Sequence, residues 1–486
     1  MNRLEPVRAL AIAFPPLLAV LAAGCNGARG RDPTRAADSG QSASVVELAA
    51  AGGHACARLD DGSVRCWGYG GGQLGDGSTD DRSAPVIARG IVDARELAVA
   101  RDRSCARAAS GRWWCWGQSP LSPSSVGDEF SDRTTITPVE VVELGEFRSF
   151  GFAQFHGCVS WRDGSVSCLG RNERGQSAQP TEQSLVHQLT KVAALARVEQ
   201  VVAGNFHSCA RLGDGSVRCW GDNAQGQLGD GSTRPRSTPA PVDGLVDAVE
   251  LAAGSLHTCA RRTGGEVVCW GRNALGTLGD GTTQQRPRPV AVTGLRGARD
   301  LACGEEHCCS VVDDGTVRCW GGNGDGQLGD GDRVYGRLAP VSVRGASKAV
   351  AVAVGDTFSC ALDDRGAVSC WGGNGGHLGD GQAIASLAPV RVAITGTATP
   401  VPRKPLPPVA DPSPADEQAC LDLVGHPPSR EVCTRCWIQG GGTPACSALG
   451  PEGYFRDRCG SAAFRSPPLP PRPGDWEVIC KLASTP

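Results

Sequence analysis

The chain has 486 residues, with 48 Lys and Arg against 51 Asp and Glu and a formal charge of −3. A balance this close to neutral argues against a nucleic-acid partner. The 67 glycines penalise helices throughout the chain, and after the first 25 residues no run of about 20 apolar residues remains to span a bilayer as a helix. The 23 cysteines point away from a reducing cytosol.

At the N-terminus, Arg3 and Arg8 precede an apolar stretch from Leu10 to Leu21, and Ala22-Ala-Gly-Cys25 sets small residues before a cysteine. Residues 1–24 therefore read as a secretory signal outside the folded protein. The cysteine at the cut resembles that of bacterial lipoproteins, which implies that Cys25 is lipidated. Pro15-Pro16 and Ala22 depart from that pattern, and simple secretion or an uncleaved anchor are the other readings. Asn26, where an aspartate would favour inner-membrane retention, points to the outer membrane or cell surface. Residues 25–44 are small and polar and read as a tether.

From residue 45 a repeat governs the chain. Seven cysteine pairs recur with nine residues inside each: Cys56 with Cys66, Cys105 with Cys115, Cys158 with Cys168, Cys209 with Cys219, Cys259 with Cys269, Cys309 with Cys319 and Cys360 with Cys370. In the first unit, two alternating segments flank the turn sequence Asp60-Asp-Gly62. A hairpin folded about Asp61 sets Arg58 opposite Val64 and Cys56 opposite Cys66, within disulfide reach. Each pair can thus close within its own hairpin. Reduced core thiols and metal ligation are the alternatives, although isolated pairs nine residues apart do not resemble a zinc site. A Trp-Gly dipeptide follows, then a Gly-rich stretch ending in the word Gln73-Leu-Gly-Asp-Gly77, which returns at 227–231 and 327–331 and nearly so at 277–281 and 377–381. Each unit offers about four short strands. Fifty such residues cannot bury a core alone, whereas seven units arranged radially can, so the expected fold is an all-β, seven-bladed β-propeller over residues 45–395.

The segment Gly204-Asn-Phe-His-Ser-Cys-Ala210, continuing through Gly215-Ser-Val-Arg-Cys-Trp-Gly-Asp-Asn-Ala-Gln-Gly-Gln-Leu-Gly-Asp-Gly231, resembles the regulator of chromosome condensation repeat. The resemblance covers residues 45–395 and implies a seven-bladed propeller. It also implies the roles found in that family: nucleotide exchange on a small GTPase, photoreception and, in secreted bacterial members, β-lactamase inhibition. Exchange fits poorly with a chain addressed outside the cytoplasm. Asp214-Gly-Ser-Val-Arg-Cys-Trp220 is also similar to the Asp box of sialidases, but the arginine–tyrosine–acid set of those enzymes is not recognisable.

His54, His156, His207, His257 and His307 occupy one repeat position, two before the first cysteine, where Arg103 and Phe358 stand in units two and seven. A histidine at the same place in five units reads as a side chain bonded to the backbone of its own blade rather than as a ring of metal ligands. Trp67, Trp116, Trp220, Trp270, Trp320 and Trp371 read as packing between blades, with Leu169 in unit three. The Gly-Asp-Gly words read as turns, Asp330-Gly-Asp332 included, since no trailing carboxylates make a calcium loop.

Units two and three lose the Gln-Leu-Gly-Asp-Gly word, and aromatics gather there. Trp113, Trp114, Phe130, Phe152 and Phe155 are the candidate binding surface, with Phe147, Phe150 and Trp161 nearby; irregular packing in decayed repeats is the alternative. Residues 396–419 are a Pro-rich linker, and Cys420, Cys433, Cys436, Cys446, Cys459 and Cys480 define a small disulfide-rich C-terminal module over 420–486 with its connectivity open. Cys303 and Cys308 are left over and are placed to bridge each other within unit six.

No serine–histidine–acid set, carboxylate pair or phosphate loop is readable, so no enzyme, cofactor or metal is expected. The reading is a non-enzymatic binding scaffold tethered to the envelope, with a protein or glycan partner and membrane contact only through the lipid anchor. A sialidase-like glycan enzyme and a purely structural envelope protein are the other readings.

Overall fold

The computed structural model describes residues 44–118, 134–141, 147–193 and 195–394, together with four strands farther on: Cys433–Ile438, Ala445–Leu449, Phe455–Arg456 and Trp476–Ile479. Cys25, Phe130, the tether and the Pro-rich linker lie outside the described residues.

Seven four-stranded antiparallel sheets follow one another along the chain, spanning residues 45–87, 94–140, 147–191, 198–241, 248–291, 298–342 and 349–391. Each is a blade built from consecutive strands. In blade 1 these are β1 (Val45–Ala51), β2 (His54–Leu59), β3 (Val64–Gly68) and β4 (Arg82–Ile87). The β2–β3 hairpin has the register read from the sequence, Arg58 opposite Val64 and Cys56 opposite Cys66. Asp61 accepts from the Ser63 amide at 2.8 Å and hydroxyl at 2.6 Å, which fixes the turn.

A disulfide closes this hairpin in every blade. Cys56 is bonded to Cys66 in blade 1, Cys105 to Cys115 in blade 2 and Cys158 to Cys168 in blade 3. Cys209 is bonded to Cys219 in blade 4, Cys259 to Cys269 in blade 5, Cys309 to Cys319 in blade 6 and Cys360 to Cys370 in blade 7. Each joins directly opposed residues of the two central strands, so the bond locks the register that the turn sets. An eighth bond joins Cys303 to Cys308.

The ring closes between the last blade and the first. Val45, Leu48, Ala55 and Trp67 share one buried cluster with Phe358, Leu362 and Leu378. The Val45 amide donates to Gly366 O at 3.3 Å, and the Asp356 amide to Gly52 O at 2.8 Å. Every blade-to-blade seam has such an apolar cluster, so the hydrophobic core is a set of layers between sheets rather than one central mass.

In the C-terminal segment the four strands form one sheet, with Cys436 in register opposite Cys446. No described helix is long and apolar enough to cross a membrane.

Candidate functional site

The repeated polar residues build the seams. The carbonyl of Gln176 in blade 3 accepts the Trp220 indole N–H of blade 4 at 3.0 Å and the Ser208 hydroxyl at 3.1 Å. That hydroxyl has spent its proton on the carbonyl, so it accepts from Nε2–H of His156 at 2.8 Å. The same latch joins Gln73 and His54 to Ser104 and Trp116, Gln227 and His207 to Thr258 and Trp270, and Gln327 and His307 to Ser359 and Trp371. The sequence reading assigns each histidine the backbone of its own blade as partner; in the structure the ring Nε2 of each reaches the following blade. Four of them reach the hydroxyl one residue before the first cysteine of the following blade, His257 reaches Cys308 Sγ at that position, and Trp67 of blade 1 donates to His377 O of blade 7 at 2.9 Å. Where that position holds Gly157 or Ala55, the preceding blade has Arg103 or Phe358 in place of the histidine.

Burial drives these imidazoles to the neutral form. The pKa is lowered to about 3 at His54, His207 and His307, and to about 4 at His156 and His257.

The Gly-Asp-Gly words complete the seam. Asp230 Oδ1 accepts from the Ser232 amide and hydroxyl while its Oδ2 pairs with Arg236 at 2.8 Å, and the Gly231 amide donates to Pro287 O of the next blade at 2.8 Å. Asp330 and Asp332 are both paired with Arg337, at 2.8 and 3.0 Å. The Asp214 of the sialidase-like string is an exposed turn residue held by Ser216.

The seam between blades 2 and 3 has no latch, and the aromatic cluster of the sequence replaces it. Trp113 is 1% exposed and stacks on Phe147 at 4.3 Å, with Phe150 edge-on to both. Phe152 lies over Gly157, where a Cβ would collide with its ring, and Arg103 stands 5.4 Å from the ring centroid. The expectation of a binding surface is corrected for Trp113, which is core; Trp114 is half-buried beside the core between blades 1 and 2, and Phe152 packs over Gly157 and also lines the central cavity. Of the described candidates, Phe155 alone stands apart from this packing.

Phe155 belongs to the loop joining the first and second strands of blade 3. The residues two before the second strand's repeat-histidine position, Gly52, Arg101, Gln154, Asn205, Ser255, Glu305 and Asp356, all line a central cavity of about 240 Å³. Arg101 and Asp356 meet there at 2.8 Å, and Asn205 donates to the Ser255 hydroxyl at 2.7 Å. Burial pushes Asp356 up to about 6 against the pull of Arg101, with Glu305 and Asp102 adding to the rise. The residues one before the repeat-histidine position are Gly53, Asp102, Phe155, Phe206, Leu256, Glu306 and Thr357. Phe155 and Phe206 have ring centroids 6.4 Å apart, Arg171 lies 4.4 Å over Phe155, and Arg272 pairs with Glu306 at 2.9 Å. Burial raises the pKa of Glu306 and of Asp102.

One mouth of the channel thus has an apolar arc, Phe155–Phe206–Leu256, beside an acidic one, Glu305–Glu306–Asp356–Asp102. The signal was present in the sequence: aligned unit by unit, the latch columns repeat while these two columns do not. Variation inside a repeat marks positions the scaffold leaves free.

A family model described as the RCC1-like domain matches residues 22–348, and one described as the regulator of chromosome condensation (RCC1) repeat matches residues 349–382. The chain is 29% identical over 206 residues to the ultraviolet-B receptor UVR8 of Arabidopsis thaliana, covering 40% of this chain and 45% of the receptor. It is 28% identical over 227 residues to the human E3 ubiquitin-protein ligase HERC2, covering 43% of this chain and 4% of the ligase. The chain therefore spans less than half the length of these curated relatives. Among solved structures, yeast RCC1 (Prp20) bound to Kap60 aligns with a TM-score of 0.59 at 19% identity, over 75% of this chain and 92% of that one. Human WBSCR16 aligns with a TM-score of 0.55 at 21% identity, over 64% and 84%. These likenesses are of fold.

Proposed function

Because the chain belongs to the RCC1-like domain family, we propose that it is a non-enzymatic binding propeller whose channel mouth engages a protein partner. The observation that carries this is the mouth itself: an apolar arc of Phe155, Phe206 and Leu256 bordered by Glu305, Glu306 and Asp356, whose side chains take no part in the histidine–hydroxyl latch. Half-buried aromatics flanked by charge are the usual composition of a protein-recognition patch. The Kap60 complex of yeast RCC1 is an instance of the same fold used for protein binding.

The reading extends to place. Secretion through residues 1–24 and lipidation at Cys25 would tether the ring to the cell envelope, and eight disulfides among the described residues suit an oxidising compartment. Radiolabelled fatty acid incorporated into the wild type but not into Cys25→Ser supports the anchor; equal labelling refutes it.

The binding reading is tested with a photoreactive residue at Phe206 and, as control, at Asp214 on an exposed hairpin turn. In the cell of origin, a defined protein crosslinks from position 206 and not from 214. Capture of the same proteins from both positions, or of none from 206, contradicts it.

A further inference from the structure

Blade 6 departs from the latch in a way the scaffold does not need. Where four other blades carry a hydroxyl, it carries Cys308, bridged to Cys303 on the neighbouring inner strand. His257 of blade 5 therefore meets sulfur, with Nε2 3.2 Å from Cys308 Sγ. Cys259 Sγ, itself bound to Cys269, lies 3.7 Å from Cys308 Sγ. One ligand atom from each of His257, Cys259, Cys303 and Cys308 falls within 4.8 Å of the rest.

Access separates this bridge from the other seven. Every blade-hairpin cysteine is buried, and Cys308 is 0% exposed, but Cys303 is half-buried and lines the central cavity. Thiol–disulfide exchange requires an attacking thiolate to reach a sulfur. Among the described disulfides, Cys303 is the sulfur that the channel presents. Two thiolates and a neutral imidazole are a soft donor set, suited to a d10 cation. With Zn–S near 2.3 Å and Zn–N near 2.0–2.1 Å, tetrahedral ligands stand about 3.5–3.8 Å apart. His257 and Cys308 are already close to that separation, and scission of the bridge lets Cys303 Sγ move back to it.

We propose that the Cys303–Cys308 bridge is a reducible disulfide whose reduced form, together with His257, holds a thiophilic d10 cation such as Zn²⁺ on the channel wall. A small dithiol supplies the electrons. Its first thiolate attacks Cys303 Sγ, the S–S bond breaks, and Cys308 leaves as a thiolate beside His257. The second thiol of the reagent then attacks the mixed disulfide and releases Cys303 as a thiolate, while the reagent closes to its own disulfide. Two electrons pass from the dithiol to the bridge, and its two protons end on the new thiols or in solvent. The cation takes both sulfurs as thiolates, releasing those protons, and leaves its fourth position open to the channel. Cys259 stays bound to Cys269.

The test uses the full chain, limiting dithiothreitol, alkylation with peptide mapping, and zinc titration against a chromophoric chelator. Cys303 and Cys308 are expected to be alkylated while the seven hairpin bridges stay closed, and the reduced protein takes up one equivalent of Zn²⁺ more than Cys303→Ser treated in the same way. His257→Gln weakens this uptake by more than about tenfold, the scale on which even outer-shell partners of a metal act, with thiol labelling unchanged. Uniform reduction of the eight described bridges, selective reduction without zinc uptake, indifference to His257→Gln, or a Cys259–Cys308 crosslink with Cys269 released would each overturn the proposal.

Discussion

His207 of blade 4 and Thr258 of blade 5 lie 2.8 Å apart, ring Nε2 to hydroxyl, fifty-one residues distant in sequence and both buried. The hydroxyl hydrogen goes on to Gln227 O at 3.4 Å, so this one contact sets the imidazole tautomer and ties two blades.

Thr258→Ala strands the Nε2–H of His207 in a dry seam. A buried donor left without a partner costs about 1–3 kcal/mol, which chemical denaturation reads directly. Combining it with His207→Phe, in imitation of the native Phe358 and Ala55 seam, is expected to cost less than the sum of the two single changes, because the groups share one interaction. Strict additivity would contradict the latch.

Acid should open the ring. His54, His207 and His307 have folded pKa values lowered to about 3 by burial, from an ordinary 6.5. Below pH 6.5 the unfolded chain therefore binds protons that the folded one refuses. Their contribution to stability is full above pH 6.5 and is lost as the pH falls toward 3. Thermal melts between pH 8 and pH 4 should show a steep fall in Tm, which His207→Gln makes shallower.

Glu250 acts in the opposite sense. Burial and the neighbouring Asp300 push it up to about 7 in the folded protein against the pull of Arg261, paired with it at 2.6 Å, so its contribution is full below its ordinary value and is lost as the pH rises through about 7. In the same melts, Glu250→Gln should raise Tm at pH 8 relative to the wild type and narrow the difference at pH 5.

The blade 2–3 seam tests the corrected reading of the aromatics. Trp113→Ala removes a ring stacked at 4.3 Å on Phe147 and should cost about 3–5 kcal/mol. Gly157→Ala should also destabilise, since its Cβ would strike Phe152. At a temperature where both variants remain folded, crosslinking from position 206 should be unchanged.

The repeat made the hairpins legible because everything they need lies within eleven residues: a turn aspartate, alternation, and cysteines in facing register. Trp220 was legible as a seam residue because one large ring per unit has no room inside a single four-stranded sheet. The partner of each histidine was not legible from one unit, because it stands a full repeat away. It becomes so when Gly157 and Ala55 are set against Arg103 and Phe358, a correlation between adjacent units. The aromatic cluster misled for the same reason. Clustering along the chain points to a surface, whereas Gly157 and Leu169 empty a seam that Trp113 and Phe147 refill, with Phe150 and Phe152 packed against them. Phe155 was found by sequence, but its neighbour Phe206 was passed over because it sits in the most regular unit.

The central claim is that recognition takes place at the channel mouth. Once the protein crosslinked from position 206 is in hand, its affinity for the wild type and for Phe206→Ala, measured by surface plasmon resonance alongside Tm, tests that claim most directly. A loss of at least about tenfold in Kd at unchanged Tm is predicted, the size expected of an aromatic anchor at an interface centre. Equal affinity for both proteins would contradict it.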